Sequence, residues 1–212
     1  MIKERALIAA AQAGDRQAFD ELVLRYQGIA YNVAYRILGC AEAAADATQE
    51  AFLSAYCAVD RFRGDRIKPW LLRIVTNVCY DQLRTRRRRS EISLDAETDL
   101  EWGEWSVAPL ESPRAFAERQ ELGRSIQHAL NTLPLEQRAV IVLADIQDMS
   151  YREVSETLRI PLGTVRSRLN RARKKMRQTL SPTDAVPARY HCPSRAAHSA
   201  RLSLDPIEEQ RP

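Results

Sequence analysis

Apolar residues recur at helical spacing along most of this 212-residue chain. Within the segment GDRQAFDELVLRYQGIAYNVAYRIL, the i, i+3, i+4 rule of an amphipathic helix is followed by Phe19, Leu22, Val23, Tyr26, Ile29, Ala30 and Val33. The polar and apolar alternation that marks a strand is missing, and the whole chain has only seven glycines. An all-α protein is therefore predicted, in which this segment forms one or two helices and supplies core residues.

Other segments before residue 90 have the same helical pattern. Helices are predicted over Ile2–Ala13, over AEAAADATQEAFLSAYCAV and over KPWLLRIVTNVCYDQLRTR. Pro69 suits the first turn of the last of these, because the N–H group that proline lacks would have no partner there. Together these helices predict a first small domain over residues 1–89.

The composition changes at residue 90. The segment SEISLDAETDLEWGEWSVAPLESP, residues 90–113, is acidic, aperiodic and closed by prolines, which predicts an extended linker. A second helical domain over residues 114–178 is predicted, with short helices at Arg114–Leu130, Pro134–Ala144, Tyr151–Leu158 and Leu162–Gln178. Residues 179–212 contain prolines and show little periodicity, so this tail is predicted to be disordered.

Charged residues are distributed in blocks. The formal net charge is only +4, but Arg84 and Arg86–Arg89 place five arginines within six residues. Gly163–Arg177 holds seven basic residues and no acidic one, whereas the linker has seven carboxylates and no Lys or Arg. Two basic blocks separated by an acidic segment predict a polyanionic partner.

The stretch MSYREVSETLRIPLGTVRSRLNRARKKMR has the layout of a helix-turn-helix. Ser150 and Glu153 predict a capping box at the start of the first helix, and Pro161 drives the preceding residue out of the α region, which predicts the turn. No Ser, Asp or Asn at positions 160–162 caps the second helix, and Leu162 is expected to pack into the turn. The inward stripe of the second helix consists of Val165, Leu169, Ala172 and Met176.

The face of the second helix opposite that stripe is predicted to contact DNA. It presents small residues at the helix start and then polar and basic ones: Gly163, Thr164, Arg166, Ser167, Asn170, Arg171 and Lys174. Arg bonds bidentately to guanine and Asn to adenine, while small residues allow close approach to the groove floor. The remaining cations suit phosphates. A solvated cationic helix end would explain Lys174, Lys175 and Arg177, but neither the turn nor the lack of acidic residues.

The helix that follows Pro69 has two distinct sides. Its apolar side consists of Leu71, Leu72, Val75 and Val78, and its polar side consists of Arg73, Asn77, Tyr80, Asp81 and Arg84. Aromatic rings and guanidinium planes stack on unpaired bases, and amides read base edges, so the polar side suits single-stranded DNA. Trp70 stands at the helix start among apolar neighbours and is assigned to core packing.

Both halves of the chain resemble one known family. LPLEQRAVIVLADIQDMSYREVSETLRIPLGTVRSRLNRARKKMR is similar to the C-terminal, promoter-reading domain of extracytoplasmic-function (ECF) sigma factors, the two-domain sigma subunits of bacterial RNA polymerase. In the first half, DATQEAF and FRGDRIKPWLLRIVTNVCYDQLRTRRRR occur in the family's order and spacing, as does the acidic linker. The likeness runs from about Asp15 to Gln178. It implies that residues 1–89 form sigma region 2 and residues 114–178 form sigma region 4.

The resemblance implies a role for each polar surface. The outward face of the second helix in the helix-turn-helix would read the −35 promoter element. Recognition and melting of the −10 element would involve the loop 63–68, the polar side of the next helix and its arginine run: Arg63, Lys68, Arg73, Asn77, Tyr80, Asp81, Arg84, Arg86, Arg87 and Arg88. Asp46, Gln49 and Glu50 would dock on the clamp of the largest polymerase subunit. From the residues alone, a solvated polar helix face is the simpler interpretation of those three.

The resemblance also implies the partners. Core RNA polymerase, through its clamp and flap, and promoter DNA are expected, and an anti-sigma factor is left open. No cofactor or metal is expected, because Cys40, Cys57, Cys79 and Cys192 lack CxxC pairing and HCPSRAAH is a weak metal pattern. The N terminus lacks the apolar core of a signal peptide, and no stretch approaches the roughly 18 apolar residues of a membrane span, so a cytoplasmic location is expected.

Two other functions compete with the sigma-factor interpretation. An operator-binding regulator would use only the second domain, and it would not need the single-strand face around Asn77. A helical scaffold could bind acidic proteins through the basic blocks. An enzyme is disfavoured, because the chain has three His, no phosphate-cradling glycine loop and no plausible pair of nucleophile and base.

Overall fold

The computed structural model describes residues 2–64, 66–90 and 113–180. The first domain contains α1 (Ile2–Gln12), α2 (Arg16–Leu38), α3 (Ala41–Ala58) and α4 (Ile67–Ser90), with a 3₁₀ turn at Val59–Arg61. The second contains α5 (Pro113–Asn131), α6 (Leu135–Ile141), α7 (Tyr151–Leu158) and α8 (Leu162–Thr179). No strand occurs among the described residues, and the all-α prediction is confirmed. Residues 91–112 of the predicted linker and 181–212 of the predicted tail lie outside the described residues, and so do Cys192 and the tail histidines.

Helix α2 is a single helix of 23 residues. Its N terminus is capped by Asp15, whose side chain accepts the N–H groups of Gln17 and Ala18 at 2.9 and 3.2 Å. It ends at Gly39, which has a left-handed φ of 74° and donates its N–H to the carbonyl of Tyr35 at 2.8 Å. Glycine adopts this conformation without the steric cost of a side chain, so the chain can turn directly into α3.

The core of the first domain lies between α2, α3 and α4. The buried face of α3 is made of alanines, so its neighbours can approach closely: Ala43, Ala44, Ala47, Ala51 and Ala55. The larger side chains come from α2 and α4, where Val33, Ile37, Leu72 and Val75 are at most 1% exposed. Burial of each aliphatic side chain contributes about 1.5–3 kcal/mol. The apolar side predicted for α4 is confirmed, and Pro69 lies in the first turn of this helix as expected.

Helices α7 and α8 form the predicted helix-turn-helix. Ser150 Oγ accepts the N–H of Glu153 at 3.3 Å, and Glu153 Oε2 accepts the N–H of Ser150 at 2.8 Å, which confirms the capping box. The expectation that Leu162 packs into the turn is wrong, because this side chain is 39% exposed. The carbonyl of Pro161 accepts the N–H groups of Thr164 and Val165 at 2.8 and 3.1 Å, so α8 begins without help from the leucine.

The helix predicted over Pro134–Ala144 changes pitch before its expected end. Helix α6 stops at Ile141 and is followed by a π-helical turn at Val142–Ile146, where the N–H of Gln147 donates to the carbonyl of Val142 at 3.0 Å. A π turn holds more residues than an α turn and so rotates the side chains that follow it. Here it brings Asp145 beside α8, where it pairs with Arg173.

The two domains pack against each other within Met1–Ser181. Helix α7 lies on α4, while α5 and α6 lie beside the C-terminal end of α2. Arg138 Nη1 donates to the carbonyl of Ile37 at 2.6 Å, and Arg36 Nη1 donates to Gln127 Oε1 at 3.2 Å. The sequence did not predict this contact, because a polar side chain that meets another domain has the same spacing as one that meets water. None of the described helices has the length and apolar composition needed to cross a bilayer.

Candidate nucleic-acid interface

The outward face of α8 carries the side chains predicted to read the −35 element. Val165, Leu169 and Ala172 are buried and fix the orientation of the helix. The opposite face exposes Gly163, Arg166, Ser167, Asn170, Arg171 and Lys174, while Thr164 is half-buried. Since α8 has 18 residues, it is roughly 27 Å long and can lie along a major groove. The structure therefore brings the predicted set to one side of a single helix.

Two cations of the same block are held within the protein. Arg173 pairs with Asp145 at 2.6 Å between Nη2 and Oδ1 and at 2.9 Å between Nε and Oδ2. These hydrogen bonds raise the pKa of Arg173 above its ordinary value. Lys175 Nζ donates to the carbonyl of Thr132 at 2.5 Å. Both side chains attach α8 to the rest of the second domain, although the sequence pattern places Lys175 among the cations suited to phosphates.

Part of the predicted −10 surface is exposed on α4. The exposed side chains are Asn77, Asp81, Arg84, Arg86 and Arg88, while the side chain of Arg87 lies outside the described residues. Arg84 Nη1 lies 3.5 Å from Asp81 Oδ1, so the carboxylate is placed to orient the guanidinium. In the loop before α4, Arg63 is also exposed and donates from Nη1 to the carbonyl of Asp60 at 2.8 Å.

The other members of the predicted −10 set are half-buried, and one of them, Lys68, contacts the second domain. Lys68 Nζ donates to the carbonyl of Gln147 at 2.9 Å, and the burial of Lys68 lowers its pKa. Arg73 is half-buried, and desolvation together with the nearby Arg159 lowers its pKa. Burial raises the pKa of Tyr80 to about 12. The structure thus separates these three side chains from the exposed members of the set.

Trp70 packs inside the first domain. Its ring centroid lies 5.0 Å from that of Phe62, and its side chain is half-buried against the core. The assignment of Trp70 to core packing rather than to base stacking is confirmed.

The candidate polymerase-binding residues line one side of α3. Asp46, Gln49 and Glu50 are all exposed. Beside them, α2 and α3 enclose an apolar groove of about 690 Å³, here called the α2–α3 groove, lined in part by Phe19, Val23, Tyr31, Phe52, Leu53 and Tyr56. Leu53 is 61% exposed and Tyr56 is 50% exposed. The groove was not predicted from the sequence, although two large apolar residues on the outer side of α3, Leu53 and Tyr56, indicate it.

Comparisons with known proteins agree with this architecture. The family model for sigma-70 region 2 matches residues 22–89, and that for sigma-70 region 4 matches residues 123–176. The chain is 34% identical over 183 residues to the RNA polymerase sigma-H factor of Pseudomonas aeruginosa, covering 85% of this chain and 95% of that protein. It is 38% identical over 185 residues to the ECF RNA polymerase sigma factor SigW of Bacillus subtilis, covering 85% and 97%.

A solved structure has the same fold. The sigma factor RpoE from Bartonella quintana, crystallised with the anti-sigma factor NepR, superposes with a TM-score of 0.60 at 26% identity, covering 76% of this chain and 96% of that one. Two domain families in the right order, relatives matched over nearly their whole length and a shared fold lead to one assignment. The chain belongs to the ECF sigma factors, which direct promoter-specific transcription initiation by bacterial RNA polymerase.

Proposed function

We propose that region 4, residues 114–178, reads the −35 element through α8, and that region 2, residues 1–89, melts and reads the −10 element through α4. The observation that carries the proposal is the exposed face of α8, which combines Arg166, Asn170 and Arg171 with the small residue Gly163. An Arg or Asn at a helix start can bond bidentately to a base edge in the major groove. Lys174, one turn further along, reaches the phosphates.

The polar side of α4 supports a different kind of contact. Asn77 offers an amide to a base edge, and Arg84 offers a planar cation that Asp81 orients. Arg86, Arg87 and Arg88 follow on the same helix and suit the backbone of the separated strand. Lys68, Arg73 and Tyr80 are assigned to the same surface, although they are half-buried in this structure.

Core polymerase docks on α3 and on the α2–α3 groove. Asp46 and Glu50 supply negative charge to a basic partner, and Leu53 and Tyr56 supply exposed apolar area beside them. A central apolar patch with a charged rim is the usual arrangement of an energetically important interface. The partner is the clamp of the largest subunit, while region 4 meets the flap.

The remaining roles follow from this assignment. The protein works in the cytoplasm, where polymerase and promoter DNA are, and contributes binding and positioning rather than catalytic chemistry of its own. An anti-sigma factor is a further partner, as in the RpoE complex with NepR. The thiols have no part in these contacts.

Reconstitution with core polymerase tests the proposal. The full chain is mixed with core enzyme and genomic DNA, and the 5′ ends of the transcripts are sequenced. A shared pair of motifs near −10 and −35 is expected upstream of these ends. Binding to duplex DNA without association with core polymerase would instead favour an operator-binding regulator.

A matched pair of leucines tests the docking surface. Leu53→Ala removes a side chain that lines the α2–α3 groove and should weaken association with core polymerase at least tenfold, as expected for the centre of an interface. Leu24 is 70% exposed on α2 and is not among the lining residues, so Leu24→Ala serves as the control. Equal effects of the two substitutions on the dissociation constant would exclude the groove as the docking site.

A further inference from the structure

The N-terminal helix holds the turn that leads from α3 into the loop 63–68. Residues 59–64 form this segment, here called the α3–α4 turn. Gln12, the last residue of α1, donates from Nε2 to the carbonyl of Phe62 at 2.6 Å and to that of Val59 at 3.2 Å. The amide nitrogen of glutamine carries two hydrogens, so one side chain can supply both bonds. Two backbone carbonyls that follow the end of α3 are thereby fixed from the first helix of the chain.

Aromatic packing also restrains the α3–α4 turn. Phe62 is 6% exposed, and its ring centroid lies 5.0 Å from that of Trp70. A Cβ added at Gly64 would lie 2.8 Å from the Phe62 ring, so the backbone at Gly64 passes close to that ring. Phe62 is therefore fixed twice. Its side chain is held by the packing around Trp70, and its carbonyl is held by Gln12.

Arg63 donates to a carbonyl that Gln12 also binds. Arg63 Nη1 lies 2.8 Å from the carbonyl oxygen of Asp60 and 3.3 Å from that of Phe62. Gln12 and Arg63 thus share the Phe62 carbonyl as an acceptor, and a shift of this carbonyl would alter both contacts. Arg63 is exposed and belongs to the proposed −10 surface. Since a side chain that is aligned in advance loses less conformational entropy on binding, the turn affects the affinity for DNA.

The packing of α1 does not depend on Gln12. Ile8 and Ala11 attach this helix to the core and are each 6% exposed, whereas Gln12 is half-buried. The next helix has its own cap at Asp15. The family model for sigma-70 region 2 matches residues 22–89 and so does not include α1. Loss of the Gln12 amide should therefore leave the helices in place and affect the α3–α4 turn.

We propose that Gln12 is a positioning residue for −10 recognition, whose amide holds the α3–α4 turn in the conformation that presents Arg63 to the unpaired strand. The inference rests on the −10 assignment made under Proposed function. In this role Gln12 acts through the carbonyl of Phe62 and needs no contact with DNA. Without the amide, both carbonyls lose a donor and the turn samples other conformations, so Arg63 is in place in only a fraction of the molecules. The apparent affinity for the strand falls by that fraction.

Binding of the −10 strand by the holoenzyme tests this role. Each variant of the full chain is assembled with core polymerase. The probe is the single-stranded −10 segment of a promoter found in the initiation assay, together with its single-base variants. Gln12→Met keeps the length of the side chain but removes the donor. It should raise the dissociation constant for the preferred segment roughly tenfold, as expected for the loss of two hydrogen bonds, and reduce the discrimination among the variants.

A rescue variant separates the hydrogen bonds from the shape of the side chain. Gln12→Lys supplies an ammonium group that can donate to both carbonyls, and it should restore the discrimination among −10 sequences to within about threefold of the wild type. An added positive charge alone would strengthen all sequences equally and would not restore discrimination. Gln17→Met makes the same change as Gln12→Met at an exposed position on α2 and should have no effect. Gly64→Ala disturbs the turn through the Phe62 ring and should also reduce discrimination.

Two further measurements distinguish positioning from general support of the fold. Association with core polymerase and the affinity of the holoenzyme for a −35 duplex should stay at wild-type values in Gln12→Met, because the turn belongs to neither surface. Equal losses in −10, −35 and core binding would overturn the proposal in favour of a structural role. Wild-type −10 discrimination in Gln12→Met or in Gly64→Ala, or a failure of Gln12→Lys to restore it, would overturn it as well. Failure of the proposed function is distinct, because then the wild-type holoenzyme itself would show no preference among −10 sequences, and both proposals would fall.

Discussion

Arg173 and Asp145 are joined by two parallel hydrogen bonds, 2.6 Å from Nη2 to Oδ1 and 2.9 Å from Nε to Oδ2. The pair ties α8 to the π-helical turn after α6, and Tyr151 Oη lies 3.4 Å from Arg173 Nη1. A bidentate arginine fixes the orientation as well as the distance of two elements. One of the seven cations in Gly163–Arg177 thus has a structural role, although its spacing gives no sign of it.

Arg173 and its neighbour Lys174 should respond differently to substitution. Arg173→Ala should lower the free energy of unfolding by about 1–2 kcal/mol, less than the loss of a fully buried charge-assisted pair, because the Arg173 side chain is 42% exposed. Lys174→Ala removes an exposed side chain and should stay within about 0.5 kcal/mol of the wild type. Urea denaturation followed by circular dichroism measures both. Equal losses of unfolding free energy in the two variants would mean that the ion pair between Arg173 and Asp145 does not stabilise the fold.

The residues of α8 that we propose to read bases and those that we propose to bind phosphates should respond differently to substitution. Arg171→Ala should cost about 1–3 kcal/mol at the preferred −35 sequence and flatten discrimination among its single-base variants, because it removes a base-edge bond. Lys174→Ala should weaken all sequences almost equally and reduce the salt slope by roughly 0.9, the release of one counterion. Fluorescence anisotropy of the full chain on a set of duplexes at two salt concentrations measures both effects. A uniform loss for Arg171→Ala would make α8 an electrostatic anchor and not a reader.

The sequence predicted features that depend on local periodicity and failed on features that depend on contact between domains. Val165 and Leu169 are buried and Asn170 is exposed, as the sequence predicted. The spacing of apolar residues along a helix shows which face packs on the core and which face meets solvent. By contrast, Lys68 has the spacing of a solvent-facing cation, and only the docked turn at Gln147 covers it. Leu53 is not part of the apolar stripe that α3 packs on the core, and it is exposed. Its place in the wall of the α2–α3 groove can be seen only once α2 and α3 are packed side by side.

Two glycines of the first domain form a matched pair for stability. Gly39 has a φ of 74°, and a Cβ there would lie 2.9 Å from Asn131 Oδ1, whose amide is held by Gln127. Gly39→Ala should therefore destabilise the protein by about 1–3 kcal/mol through strain and displacement of Asn131. Gly28 lies inside α2 with nothing within 4 Å of an added Cβ, so Gly28→Ala should stabilise by about 0.5–1 kcal/mol. Thermal unfolding should give melting temperatures on opposite sides of the wild type, and a shift in the same direction would contradict this account.

Cys79 and Cys57 should differ sharply in their reaction with iodoacetamide. Cys79 is 0% exposed, and burial raises the pKa of its thiol to about 12, whereas Cys57 is exposed on α3. At pH 8 a pKa near 12 leaves about one thiol in ten thousand as thiolate, which is roughly a thousandfold less than for an ordinary cysteine. Since the folded pKa lies above the unfolded one, this group favours folding below about pH 9, and that contribution is lost as the pH rises towards 12.

Mass spectrometry of peptides after timed alkylation at pH 8 gives the two rates in one sample. Cys57 should be modified within minutes, and Cys79 only as fast as the chain unfolds, so its rate should rise with urea while that of Cys57 stays nearly constant. Replacement of Cys57 by Ser should leave the rate at Cys79 unchanged, because the two thiols are independent. Modification of both residues at comparable rates in the native protein would show that the interface of α4 with the core opens far more readily than its packing indicates.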